Sequence, residues 1–318
     1  MKPKALLTHD LFPEAIELIQ KEADIEFCTS GRPPQKSEII TKIKNKQGLL
    51  CLLVDQIDKE IIDAASRLKV IANCAVGYNN IDVEYARSKG IYVTNTPGVL
   101  TDTTADLTWA LILAVARRLP EADRFSREGQ FTGWQLDLLL GQEVTGKQLG
   151  IVGMGRIGRA VALRAQGFQM KIVYSDPCPL SSEQERKYQA HRVSLEELLR
   201  TSDFVTLHLP LNAQTHHLIS SRELSLMKKE AILINVSRGP IVDEKALAEA
   251  LEKREIWGAG LDVYEREPQI EAKLKQLNNV VLLPHIGSAS RETRLKMALT
   301  AAKNLIQGIQ GKKPANAV

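Results

Sequence analysis

The run Leu149-Gly150-Ile151-Val152-Gly153-Met154-Gly155-Arg156-Ile157-Gly158 sets three glycines in G-x-G-x-x-G spacing directly behind an apolar strand pattern. That spacing serves phosphate binding. Gly153 permits a tight turn, Gly155 lets backbone approach a pyrophosphate, and Gly158 lets the next helix pack close to the strand. The helix that begins there presents free N–H groups and the positive end of its dipole, with Arg156 and Ile157 in its first turn. A second strand pattern, residues 171–174, ends in Ser175-Asp176. This is close to the ~20-residue spacing at which an acid meets the adenosine ribose hydroxyls. A cofactor 2′-phosphate beside that carboxylate would meet like-charge repulsion, and no basic side chain lies between Pro177 and Arg186. The pattern therefore favours NAD (NADH) over NADP.

Three more polar residues each follow an apolar strand pattern. Arg238 lies in Asn235-Val236-Ser237-Arg238-Gly239, and Glu267 in Asp262-Val263-Tyr264-Glu265-Arg266-Glu267-Pro268. His285 lies in Leu283-Pro284-His285-Ile286-Gly287-Ser288. Open α/β sheets place their ligands beyond the carboxyl ends of strands, which gives these positions weight. A guanidinium offers carboxylates a planar fork of donors, and an imidazole moves protons near neutral pH. Each residue also has a plain structural reading: Arg238 paired with Asp243, Glu267 a solvated loop acid, His285 a hydrogen-bonded structural histidine.

The elements that must position them are short. Apolar runs at 5–7, 25–28, 49–54 and 70–75 read as strands, with helical patterns at 14–21, 38–44 and 61–68 between them. Six more strand patterns follow residue 148, at 149–152, 171–174, 204–207, 231–234, 258–261 and 280–283. Runs such as Ala231-Ile232-Leu233-Ile234 are apolar at every position, as in parallel sheets covered on both faces. Residues 101–119 read as one helix, capped by Thr101 or Asp102, stopped by Pro120, and apolar nearly all round. It would lie between two domains or in a subunit interface.

The 318 residues, 44% hydrophobic and 25% charged, suit two globular domains. A net charge of +4 is too small for a nucleic-acid binder, and no apolar run approaches a membrane span. The start MKPKALLTHD lacks the apolar region of a secretory signal. Cys28, Cys51, Cys74 and Cys178 lie apart, with no CxxC pair and no histidine spaced as a zinc partner, so no metal site is expected. Reduced thiols in the cytoplasm are the expectation.

Together these segments resemble the D-isomer-specific 2-hydroxyacid dehydrogenases from about residue 45 to residue 310. The resemblance includes Ala75-Val76-Gly77-Tyr78-Asn79-Asn80-Ile81-Asp82, Asn95-Thr96-Pro97-Gly98, the stretch from Thr104 through Arg118, the glycine run, Asn235–Gly239, the segment around Asp262–Pro268, and Pro284 through Ser290. It implies two doubly wound parallel-sheet α/β domains, a Rossmann-type nucleotide domain (100–287) inserted into a flavodoxin-like substrate domain (1–99 with 288–318). The catalytic Arg, Glu and His of the family fall on Arg238, Glu267 and His285. Arg238 and the backbone N–H groups of Val76 and Gly77 would hold a 2-keto acid, His285 would donate the proton, and Glu267 would orient the ring. Asp262 would accept from the nicotinamide carboxamide, with Val236 and Ser237 lining that pocket. The site would lie in a cleft that closes, and the family is usually dimeric.

The N-terminal half and Phe131-Thr132-Gly133-Trp134 look most like glyoxylate/hydroxypyruvate reductases; Trp134 would help shape a substrate pocket across a dimer or, in the plainer and favoured reading, simply pack. A 3-phosphoglycerate dehydrogenase is the alternative; the end at Val318 leaves no regulatory domain in this reading. Lys42, Lys44 and Lys46, which a phosphorylated substrate would want, read as a solvated face. An NAD-binding co-repressor, acting through protein partners, is the remaining class.

Overall fold

Four-residue apolar runs become parallel strands in both halves of the chain. The computed structural model describes residues 2–28 and 32–318. The chain divides into two compact units, Met1–Leu100 with Ser288–Val318, and Thr101–Gly287.

In the first unit β1 (Lys4–Leu7), α1 (Pro13–Glu22), β2 (Asp24–Phe27), α2 (Lys36–Ile43), β3 (Gly48–Cys51), α3 (Lys59–Ala64), β4 (Val70–Asn73), α4 (Val83–Ser88) and β5 (Tyr92–Thr94) alternate. The sheet order is β2-β1-β3-β4-β5, the flavodoxin-like order, and every pair is parallel. The three-residue strand β5 is too short for a sequence pattern to show. The final helix, Arg291–Ile309, returns to cover one face of this sheet through Met297, Ala301 and Leu305. It docks closely: a Cβ on Gly48 would stand 2.6 Å from Leu305, and one on Gly308 would stand 2.4 Å from Val70.

Lys46 corrects one reading. It is buried, with Nζ 2.5 Å from Glu26 Oε2, while Lys42 donates to the carbonyls of Phe27 and Cys28. These two lysines fasten α2 and its exit to β2, and of the three only Lys44 is exposed.

The second unit holds α5 (Thr101–Ala116), α6 (Leu119–Arg127), β6 (Gln148–Val152), α7 (Arg156–Ala165), β7 (Lys171–Ser175), α8 (Ser182–Tyr188), β8 (Ala190–Arg192), α9 (Leu195–Thr201), β9 (Phe204–Leu207), α10 (Ser221–Leu226), β10 (Ile232–Asn235), α11 (Glu244–Glu252), β11 (Gly258–Leu261) and β12 (Val280–Leu282). Its seven-stranded parallel sheet has the order β12-β11-β10-β9-β6-β7-β8, a Rossmann arrangement with one added edge strand. The sequence showed six strands here; β8, Ala-His-Arg, is too short and polar to be read as one. Phe204 and Tyr174 are fully buried; an apolar side chain of this size stabilises by about 1.5–3 kcal/mol.

Residues 101–119 are not one helix. Arg118 takes a left-handed conformation (φ 53°) between α5 and α6, and Pro120 sits in the first turn of α6, where a missing N–H costs nothing. Within its own unit α5 packs against α7, β10 and β11, and Asp102, Asp106 and Ala110 are exposed. Trp109 stacks on Phe168 with centroids 4.6 Å apart, and its indole donates to the Val161 carbonyl. Among the described residues no helix is long and apolar enough to cross a membrane.

Candidate active site

The glycine run forms the turn its spacing predicts. Gly153 has φ +94°, and a Cβ there would meet the His208 carbonyl oxygen at 2.5 Å. A Cβ on Gly158 would stand 2.2 Å from the Gly153 carbonyl oxygen, so the helix packs against the turn as only glycine allows. Gly155, the N-cap of α7, faces open space. No side chain caps α7, so the N–H groups of Arg156, Ile157 and Gly158 remain available to an anion. This is a cradle shaped for a pyrophosphate, and the residues fit a nicotinamide dinucleotide.

Beside the cradle a cavity of about 680 Å³ opens beyond the carboxyl ends of β6, β7 and β8, lined by Val152, Asp176, Arg192, Val193, Leu209 and Thr215 among others. Asp176 does two tasks. Its Oδ2 accepts from Met154 N at 2.7 Å, bracing the glycine turn, and its Oδ1 accepts from Cys178 N at 2.8 Å.

At the other end of the same sheet, Arg238, Glu267 and His285 follow β10, β11 and β12. His285 Nδ1 lies 2.8 Å from Glu267 Oε2, and Glu267 Oε1 accepts from Tyr264 N at 3.1 Å. Burial alone would raise the Glu267 carboxyl; the hydrogen bond and charge of His285, the Tyr264 N–H and the charge of Arg238 outweigh it and hold the group below the usual range. Burial lowers the Arg238 guanidinium from its ordinary value, opposed by the charge of Glu267. His285 holds φ +53°, a left-handed conformation uncommon outside glycine. With Nδ1 on Glu267, Nε2 has no hydrogen-bond partner among the described residues.

Buried groups that the sequence did not single out brace these three. Asn235 is 1% exposed; its Oδ1 accepts from Ser237 N and Oγ, and its Nδ2 donates to the Arg238 carbonyl. Tyr264 donates its hydroxyl to the Leu283 carbonyl at 2.8 Å, tying the Glu267 loop to the strand end that carries His285. Glu244, buried at the start of α11, accepts from the backbone N–H groups of Glu265 and Glu271, on either side of Glu267. Burial raises its carboxyl, and those two N–H groups oppose the shift. A Cβ on Gly239 would stand 1.8 Å from the Tyr264 carbonyl carbon, so the segments bearing Arg238 and Glu267 touch backbone to backbone. The N-x-S-R-G run was the available sign for Asn235, an Asx-type turn behind a strand.

Asp262 is fully buried, and its two oxygens accept from Ile286 N and Gly287 N, each at 2.7 Å. Burial raises its carboxyl, against those hydrogen bonds and the charge of His285. It thus shapes the turn behind His285. Val236 is buried and Ser237 half-buried at the same strand ends. Asp243, the alternative partner considered for Arg238, caps α11. His208, directly beyond β9, is a further group the sequence reading missed. Neither ring nitrogen has a partner among the described residues, and burial pushes its pKa down to about 3.

Val76 and Gly77 belong to the first unit, beyond β4. Asn95 Nδ2 donates to the Val76 carbonyl and Asn73 Nδ2 to the Gly77 carbonyl, while their own N–H groups have no acceptor among the described residues. Trp134 corrects another reading. It is 80% exposed, in an irregular segment where Phe131, Leu136 and Leu140 are exposed as well, so it is not packed into a core among the described residues.

Comparisons with known proteins agree with the fold. The family model described as D-isomer specific 2-hydroxyacid dehydrogenase, NAD binding domain, matches residues 109–287. The chain is 49% identical to a glyoxylate reductase of Thermococcus litoralis over 100% of this chain and 97% of that protein. It is likewise 49% identical to one of Aeropyrum pernix, over 100% and 96%. Among solved structures it resembles a protein of Thermus thermophilus with a TM-score of 0.93, at 44% identity and 99% coverage of both chains. An NADPH-dependent glyoxylate/hydroxypyruvate reductase of Sinorhizobium meliloti, in complex with NADP and malonate, matches with a TM-score of 0.90 at 30% identity, over 100% of this chain and 97% of that one.

Proposed function

Because this chain belongs to the D-isomer-specific 2-hydroxyacid dehydrogenase family, we propose that it reduces glyoxylate or hydroxypyruvate to the corresponding 2-hydroxy acid in the cytoplasm, with NADH preferred. The observation that carries the chemistry is the 2.8 Å contact between Glu267 and His285 Nδ1. It fixes the ring and leaves Nε2 for proton transfer to the carbonyl oxygen. The nicotinamide cofactor supplies the hydride when bound.

Arg238 presents its fork to the carboxylate and carbonyl oxygens of the substrate. The unsatisfied N–H groups of Val76 and Gly77 are assigned to the same carboxylate. Val236 and Ser237 are assigned to the nicotinamide pocket, and Asp262, beyond its bracing task, to the carboxamide through a remaining lone pair. Gly153, Gly155, Arg156, Ile157 and Gly158 hold the pyrophosphate, and Asp176 the adenosine ribose. The preference for NADH rests on the Asp176 carboxylate. We assign the exposed Phe131, Trp134, Leu136 and Leu140 to an interface with a second copy, because an apolar group of this size is unusual on a monomer surface.

The experiment follows NADH oxidation with glyoxylate, hydroxypyruvate, pyruvate and 2-oxoglutarate in parallel, and NAD⁺ reduction with D-3-phosphoglycerate. Fast turnover of glyoxylate or hydroxypyruvate supports the proposal. Turnover confined to phosphoglycerate overturns its substrate, and nucleotide binding without turnover overturns the enzyme reading.

A further inference from the structure

The cavity beside the glycine turn holds a charge that neighbouring residues in the sequence do not announce. Arg192, at the end of β8, donates from Nε (3.2 Å) and Nη2 (3.0 Å) to the Asp176 carbonyl, and from Nη2 (3.4 Å) to the Pro177 carbonyl. It makes no ion pair and its Nη1 has no partner among the described residues, although Asp176 is the residue it grips. Among the described residues lining the cavity it is the one cation, and Asp176 and Glu197 are the anions. The Asp176 carboxylate, also in the cavity lining, accepts from the N–H groups of Met154 and Cys178 rather than from the guanidinium. The guanidinium thus stands, with donors to spare, on the backbone of the residue that marks the ribose 2′-hydroxyl.

We propose that Arg192 is a specificity-determining residue: a ready cation for a 2′-phosphate, which makes the choice between NADH and NADPH a graded balance against Asp176 rather than an exclusion. A guanidinium is the side chain suited to a phosphate, since its parallel donors match two oxygens at once. Asp176 repels the same phosphate through space, and the two residues pull the selectivity in opposite directions. The proposal rests on the reading of this cavity as the adenosine pocket and adds the residue that sets its tolerance.

The test uses the full chain and two fragments that report on this pocket alone, 5′-AMP and adenosine 2′,5′-bisphosphate, titrated by calorimetry. Wild-type protein binds both. Arg192→Ala and Arg192→Gln each lower the affinity for the bisphosphate relative to AMP by roughly tenfold, the scale of one charge-assisted hydrogen bond. Asp176→Asn moves the same ratio the other way by about as much. The glutamine variant keeps an amide donor for the two carbonyls but removes the charge. If the ratio falls in Arg192→Ala and not in Arg192→Gln, Arg192 only braces the Asp176–Pro177 backbone and the proposal fails. A ratio unchanged in both variants also overturns it. Should Asp176→Asn disturb the glycine turn it supports, the two Arg192 variants still decide the matter. Failure of AMP itself to bind would remove the adenosine reading of the cavity, and the proposal with it. Kinetics of NADH and NADPH in the same variants follow as the second measurement.

Discussion

The two ends of one sheet's carboxyl edge solve different problems by different means. Beyond β6, the anion cradle is made of backbone: an uncapped helix start, a turn that needs Gly153, and a contact that needs Gly158. Beyond β10 to β12, the work falls to three side chains: the Glu267 and His285 segments are held by buried groups distant in the chain, and Arg238 by Asn235 three residues before it. Backbone sites are local and tolerate change only where a Cβ has room. Side-chain sites depend on long-range braces, so their weak points lie away from the chemistry.

The largest expected effect tests the side-chain end directly. His285→Ala should reduce kcat by ~10²–10⁴-fold, the scale of a lost general acid–base group. Circular dichroism and dinucleotide binding should be retained. Near wild-type turnover would remove His285 from the mechanism.

Next is the backbone end. Gly158→Val places a side chain where even a Cβ would stand 2.2 Å from the Gly153 carbonyl oxygen. It should cost about 1–3 kcal/mol in urea unfolding, the range for overpacking, and weaken dinucleotide binding more than it slows the chemical step. Equal loss in both would show that the two ends do not separate.

A smaller effect is expected from a brace. Glu244→Ala strips the acceptor from the N–H groups of Glu265 and Glu271, at a cost of roughly 1–3 kcal/mol in stability. Because Glu267 rides on that loop, kcat should fall while KM changes little, and Glu244→Gln should restore part of it. A stability loss with unchanged kcat would make Glu244 purely structural.

The smallest effect concerns pH. The Glu267 carboxyl sits below its ordinary value of 4.5 in the fold. Its contribution to stability is therefore present above the unfolded-state value and is lost as pH falls through the lower, folded one. The stability gap between wild type and Glu267→Gln, read as the urea midpoint, should be full at neutral pH and close progressively in acid. A gap that widens on acidification would reverse the assignment. Glu244 and Asp262 run the opposite way: their raised carboxyls detract from stability above the ordinary range, and the deficit disappears as they protonate in acid.

Legibility followed the same division. The glycine turn and its helix could be read because every part lies within ten consecutive residues. Arg238, Glu267 and His285 could be read by position, each just past an apolar strand. Most of their braces could not. Glu244 and Tyr264 act on partners whose proximity only the fold creates, and Asp262 was read for a cofactor rather than for the turn it shapes; Asn235, whose partners lie two and three residues on, was within reach of the N-x-S-R-G run but was not singled out. Arg192 escaped because β8 spans three residues with one buried side chain, leaving no alternation to detect. Trp134 misled because large aromatics usually pack within their own chain, whereas here the segment around it lies open.

The return of the final helix to the first unit has a consequence for how the protein is made. A nascent chain leaves the ribosome with β1 to β5 complete, yet Met297, Ala298, Ala301, Ala302, Leu305 and Ile309, which cover one face of that sheet, are synthesised last. The inserted unit has all its strands and helices by residue 287 and is free to fold first. Until then the face bearing Ala5, Leu7, Leu50 and Val70 has only α1, through Ala15 and Ile19, packed on it. Translation order therefore inverts folding order: the half made first is finished last, and its half-covered face is the surface a chaperone would meet.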